Sequence, residues 1–114
     1  MPLHVPVLLQ EFKVDTLTAD GTEQTVIEST SIGEIEGWID LANMASGDTV
    51  IIKVYAKMKS GGTYRRYDST TYSDAQTNPA IHLIKLSAEY GFKVTLQQTA
   101  GSYRTFDYNF FKRA

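Results

Sequence analysis

Between Gly33 and Met58 the chain GEIEGWIDLANMASGDTVIIKVYAKM alternates with a period of two. Ile35, Gly37, Ile39 and Leu41 fall on one parity and Glu34, Glu36, Trp38 and Asp40 on the other, as in a strand with one buried face. Asn43 to Asp48 supplies the small, polar and glycine residues of a reversal. Thr49 to Lys59 then resumes as a β-branched strand, with Val50, Ile52, Val54, Ala56 and Met58 on one face and Thr49, Lys53, Lys57 and Lys59 on the other. A helix cannot collect such residues on one side. Two long one-sided strands make half the core of a β-sandwich.

The same reading covers the rest of the chain. Phe12 to Thr18 sets Phe12, Val14 and Thr16 against Lys13 and Asp15, and Ala19-Asp20-Gly21-Thr22 is the strongest hairpin signal present. Gln24 to Thr30 returns as a second strand. Ser60-Gly61-Gly62 turns into a strand over 63–72, and the longest break is Ser73 to Pro79. Ile81 to Ala88, a strand marked by Phe92, Val94 and Leu96, and a last one carrying Phe106, Tyr108 and Phe110 inward complete the set. About eight antiparallel strands in 114 residues predict an all-β, jelly-roll-like sandwich, with a meander sandwich or up-and-down barrel as the alternative. The expected organisation is an extended N-terminal arm over 1–10, set by Pro2 and Pro6, followed by one sandwich domain over 11–114.

Charge is unevenly spread. Residues 1–52 hold nine acidic side chains against Lys13 alone, a balance of −8, whereas residues 53–114 carry ten basic and four acidic ones, a balance of +6. Acidic early strands either pair with basic late strands within one molecule or guide copies head to tail. There is no cysteine, no apolar run near the ~20 residues that span a bilayer, and no basic leader with a small-residue cleavage site, so neither a membrane span nor a signal peptide is expected.

Chemistry is sparsely signalled. His4 and His82 have no other metal ligand at a recognisable spacing, and His82 shares a strand parity with Ile84, Leu86 and Ala88, which suits a structural histidine. Serines and threonines are many, but none lies in a nucleophile elbow. Glu34, Glu36 and Asp40 line one strand face, a pattern of solvated charge more than of glycosidase carboxylates or a calcium loop. No catalytic residue, cofactor or metal is expected, and the reading is non-enzymatic. Tyr64-Arg65-Arg66-Tyr67, after Lys53, Lys57 and Lys59, interleaves cations and rings as single-strand nucleic-acid sites do, but the acidic first half argues against a polyanion partner. The same residue types favour protein interfaces.

Trp38, Ile51, Tyr55, Ile81, Leu83, Tyr103 and Phe111 all take the parity opposite the presumed core. So many apolar residues predict an interface. The candidate set is Pro2, Val5, Pro6 and Leu8 of the arm with Trp38, Tyr55, Tyr64, Arg65, Arg66, Tyr67, Tyr103 and Phe111.

GWIDLANMASGDTVIIKVYAK (37–57), SGGTYRRYDSTTYS (60–73) and YGFKVTLQQTAGSYRTFDYNFF (90–111) resemble the small all-β proteins of tailed phages and archaeal viruses, and jelly-roll capsid or capsid-decoration proteins more generally. The resemblance implies a virion structural role, with the partners being other copies, in a trimer or lattice, and other virion proteins. A virion location follows, with the cytoplasm as the alternative. The competing reading is a monomeric carbohydrate-binding module in which Trp38 and tyrosines stack on sugars.

Overall fold

The computed structural model describes residues 9–30, 33–88 and 90–113. Eight strands follow in order: β1 (Leu9–Thr18), β2 (Gln24–Ser29), β3 (Gly33–Asp40), β4 (Thr49–Ala56), β5 (Arg65–Ser73), β6 (Ala80–Ala88), β7 (Phe92–Ala100) and β8 (Thr105–Arg113). No helix lies among the described residues. The strands form two antiparallel sheets, β1-β8-β3-β6 and β2-β7-β4-β5.

In four of the pairings the strand numbers add to nine: β1 with β8, β2 with β7, β3 with β6, β4 with β5. One long antiparallel ribbon, with its tip between β4 and β5, produces these pairs when it is rolled so that successive strands alternate between sheets. The added pairings β8 with β3 and β7 with β4 then close each sheet. That is a jelly roll. Only β4 and β5 adjoin both in sequence and in a sheet, so the meander and the up-and-down barrel are excluded.

The roll also corrects the hairpin expectation. Asp20 Oδ1 accepts the Thr22 amide at 2.9 Å and its hydroxyl at 2.6 Å, and Gly21 takes φ +87°, a conformation glycine adopts at least cost. The turn forms where the sequence signals it, but it carries the chain from one sheet to the other.

Between the sheets lie Val26, Ile27, Ile35, Ile39, Leu41, Val50, Ile52, Val54, Phe92, Val94, Leu96, Phe106 and Phe110, all nearly closed to solvent. Each such side chain contributes about 1.5–3 kcal/mol of burial. Gly37 is buried opposite Phe110, and a side chain there would run into the Asn109 carbonyl and the Phe110 ring.

Several face assignments differ from expectation, and bulges explain two of them. In β1 the register shifts between Glu11 and Lys13, after which Lys13, Asp15 and Leu17 oppose the buried Phe110, Tyr108 and Phe106. Phe12 still packs on the core, but Val14 and Thr16 turn outward and Val14 is 53% exposed. In β6, Leu83 pairs with Gly37 and Leu86 with Ile35, three steps against two. The extra residue reverses parity, so Ile81 and Leu83 pack against the core and His82 is exposed. Finally, β4 stops at Ala56 and β5 begins at Arg65, which leaves Met58 in the connection and 68% exposed.

The turns on the β1 to β2, β3 to β4, β5 to β6 and β7 to β8 connections are tied together. Asp48, 1% exposed, accepts Arg104 Nε at 2.8 Å and the Ala45 amide at 2.9 Å through Oδ2. The Arg104 bond, with the Ala45 amide next, holds this carboxyl below the ordinary aspartate range. Gly47 donates to Asp74 Oδ1, Asp74 donates to the Asp48 carbonyl, and Leu41 donates to the Pro79 carbonyl. Gln98 is fully enclosed and spans the β7 to β8 turn. Its Nε2 donates to the Ala100 and Ser102 carbonyls, and its Oε1 accepts the Arg104 amide.

Candidate functional site

The expected interface residues separate onto different surfaces. Pro2, Val5, Pro6 and Leu8 lie outside the described residues. Tyr55 and Ile51 belong to the outer face of the β2-β7-β4-β5 sheet, whereas Trp38 and Phe111 belong to the outer face of the other sheet. Tyr103, in the β7 to β8 turn, sets its hydroxyl against Gly21. The seven residues of outward parity therefore do not form one surface, and two of them, Ile81 and Leu83, point inward.

On the face bearing Tyr55, cations and rings are already engaged. Lys93 Nζ sits 4.9 Å from the Tyr55 ring centroid and 4.8 Å from that of Tyr64, and Lys57 Nζ sits 4.5 Å from Tyr64. The Tyr64 hydroxyl donates to Glu28 at 2.6 Å; Tyr55 and Thr95 donate to Glu23, which Lys53 also approaches at 3.9 Å. The bonds from Thr95 and Tyr55 lower the Glu23 carboxyl, and the Tyr55 hydroxyl is raised in return. Burial, then Glu28, pushes Tyr64 up to about 12. Rings capped by lysines are poorly placed to stack bases, and this neutralised network speaks against an open polyanion surface.

β5 is different. It is the edge of its sheet, paired with β4 alone among the described residues, and every residue from Arg65 to Thr71 is exposed. Thr70 and Asp68 oppose the buried Ile52 and Val54, so their parity is inward, yet both are exposed among the described residues. Tyr72 alone reaches the core from this strand.

The outer face of the β1-β8-β3-β6 sheet carries a concavity of about 620 Å³. Register sets its make-up: Val14, Asn109 and Trp38 lie in one row across β1, β8 and β3, a row that His82 continues on β6 outside the groove, with Thr16 beside Asp107 in the next row. Trp38 is 43% exposed and stacks on His82, ring centroids 3.9 Å apart and planes 11° from parallel. His82 Nε2 in turn lies 3.4 Å from Glu36 Oε2. Thr16 donates its hydroxyl to Asp107 at 2.6 Å and its amide to Asp15 at 2.8 Å, while Asp40 accepts the Ala42 amide at 2.8 Å. Pro79 and Ala42 wall the end nearest the tied turns.

Sequence reasoning found Trp38 but missed Val14, Thr16, Asp107 and Asn109. The period-two pattern of β8 places Asp107 and Asn109 outward, but nothing local reveals that β8 lies between β1 and β3. Among the described residues no group of three His, Asp or Glu side chains is placed to hold a metal ion, and no helix is long and apolar enough to cross a membrane. No protein-family model matches the chain, and no curated protein matches it.

Proposed function

We propose that this chain is a non-enzymatic, self-assembling structural subunit of a virion. The observation that carries the assembly is β5: nine residues long, exposed along nearly its whole length and, among the described residues, paired on one side only. An open edge of this kind is a template for a further strand, and soluble monomers ordinarily shorten, bend or cover it. A second copy is a suitable partner on charge. The strands of the β1-β8-β3-β6 sheet carry Glu11, Asp15, Glu34, Glu36, Asp40 and Asp107 against Lys13, Lys85, Lys112 and Arg113, a balance of −2. Those of the other sheet carry Glu28 and Asp68 against Lys53, Arg65, Arg66 and Lys93, a balance of +2. Unlike sheets orient copies toward one another. The virion setting rests on the resemblance of segments 37–57, 60–73 and 90–111, together with an eight-stranded jelly roll, an architecture that capsid proteins use.

Light scattering coupled to size exclusion, over a dilution series, tests the assembly. The wild-type chain is expected to exceed its 12.7 kDa subunit mass. Thr70→Lys, which puts an inward-pointing charge on the open edge, is expected to return it to a folded monomer with an unchanged circular dichroism spectrum. A wild-type chain monomeric at every concentration, or an oligomer indifferent to Thr70→Lys, overturns the β5 reading.

A further inference from the structure

The groove on the β1-β8-β3-β6 sheet has a shape and chemistry independent of the β5 edge. We infer that it is a binding site for a neutral carbohydrate, with a pyranose ring seated against Trp38 above Asn109.

His82 covers one face of the Trp38 ring and takes no part in lining the groove, whereas Trp38 does; the opposite ring face is therefore the groove wall. The stack, backed by Glu36 at 3.4 Å from His82, holds that wall upright, so little side-chain freedom is lost on binding. Val14, 53% exposed, faces it from two strands away. Two strand spacings are about 9.6 Å, and subtracting the half-thickness of each wall leaves a slot of roughly 6 Å. A pyranose ring has that thickness and presents an apolar face of C–H groups, which an aromatic plane favours.

The slot's polar groups match hydroxyls. Asn109 offers both donors and acceptors. Asp40 and Asp107 each commit one carboxylate oxygen to the protein, and the other oxygen has no partner among the described residues. A sugar hydroxyl both donates and accepts, so this mixture suits it better than it suits an organic cation, which could use only the acceptors. Charge sets the class of sugar: the Asp40 and Asp107 carboxylates line the groove and, among the described residues, no lysine or arginine does, so uronic and sialic acids are repelled. The absence of any three-ligand cluster removes a divalent cation as the occupant among the described residues.

Trp38 is the protein's one tryptophan, so its fluorescence reports this site alone. The test titrates the full chain with a panel of neutral and acidic oligosaccharides and with choline, and repeats the immobilised forms on an array to separate free sugars from surface glycans. Saturable fluorescence change with one or more neutral glycans is expected, weakened about tenfold or more by Trp38→Ala and by Asp107→Ala, and largely kept by Trp38→Phe. Trp38 and Asp107 are exposed on a sheet exterior, and thermal melts of each variant show whether the fold is retained. No binding across the panel, preference for acidic glycans or choline, or binding untouched by Trp38→Ala overturns the site. So does a fluorescence shift that depends only on protein concentration, which would mean that a second copy covers Trp38. Because Thr70→Lys leaves the groove intact, a monomeric variant that still binds separates this site from the assembly.

Discussion

Gln98 offers a sharp test of how the jelly roll closes at its turn end. Its amide is fully enclosed and makes three hydrogen bonds, to the Ala100 carbonyl at 3.0 Å, the Ser102 carbonyl at 2.7 Å and from the Arg104 amide at 3.0 Å. Gln98→Leu nearly conserves volume, so the core stays filled while all three bonds vanish. Each is worth about 1 kcal/mol net, and a partner left buried without one costs about 1–3 kcal/mol. Ala100 and Ser102 are exposed, so water replaces the lost donor there and the lower figure applies; Arg104 is half-buried and falls between. The sum is a loss of roughly 3 kcal/mol, against a typical total stability of about 5–15 kcal/mol. For a chain of this size that is a fall of roughly 12 °C in melting temperature. Urea unfolding followed by circular dichroism is the assay, with a lower midpoint and an unchanged slope expected. Gln97→Leu is the control: half-buried Gln97 makes one bond, to the Gly21 carbonyl at 3.1 Å, and should cost under about 1 kcal/mol. A Gln98→Leu protein within about 0.5 kcal/mol of wild type would refute the reasoning and leave apolar packing as what closes the turn.

Gly37→Ala and Gly47→Ala separate steric from conformational demands on glycine. The first drives a methyl into the Asn109 backbone and Phe110 ring and should cost about 3 kcal/mol or more, whereas the second meets open space at φ +91° and should cost about 1 kcal/mol, as thermal melts will show; the reverse order would contradict the β3–β8 packing. Tyr64, raised to about 12 by burial and by Glu28, favours its neutral form in the folded state; its contribution is whole below about pH 10 and is lost as pH rises through about 12. An ultraviolet titration of tyrosinate should therefore end in a late phase that Tyr64→Phe removes, and a late phase surviving that substitution would assign it elsewhere.

The chain's charge asymmetry shows how topology reinterprets a sequence feature. The balances of −8 and +6 in the two parts of the chain look like material for attraction between copies. The roll pairs early strands with late ones, so much of that attraction is consumed within one molecule: Lys53 beside Glu23, and Arg104 on Asp48. What survives is the smaller difference between the two sheets. The candidate groove shows the converse. Trp38 stood out as an outward aromatic, but its companions come from β1 and β8, about 24 and 71 positions away, and only the β1-β8-β3 order brings them together.

Alternation and turn residues by themselves determined that this chain is all β, that it has eight strands, and that Ile35, Ile39, Val50, Val54, Val94, Phe106 and Phe110 point inward, because side-chain period and glycine or aspartate turns are properties of a few consecutive residues. They could not determine which strand lies beside which. A turn such as Ala19 to Thr22 reverses the chain whether the next strand joins the same sheet or crosses to the other, and the choice is made by which distant partner best buries the inner faces. Nor could they locate the bulges in β1 and β6, each of which flips a strand's faces for the sake of its neighbour's register. Both decisions are energies of non-local pairing, and they alone exposed Val14, freed His82 to stack on Trp38, and left β5 open at the edge.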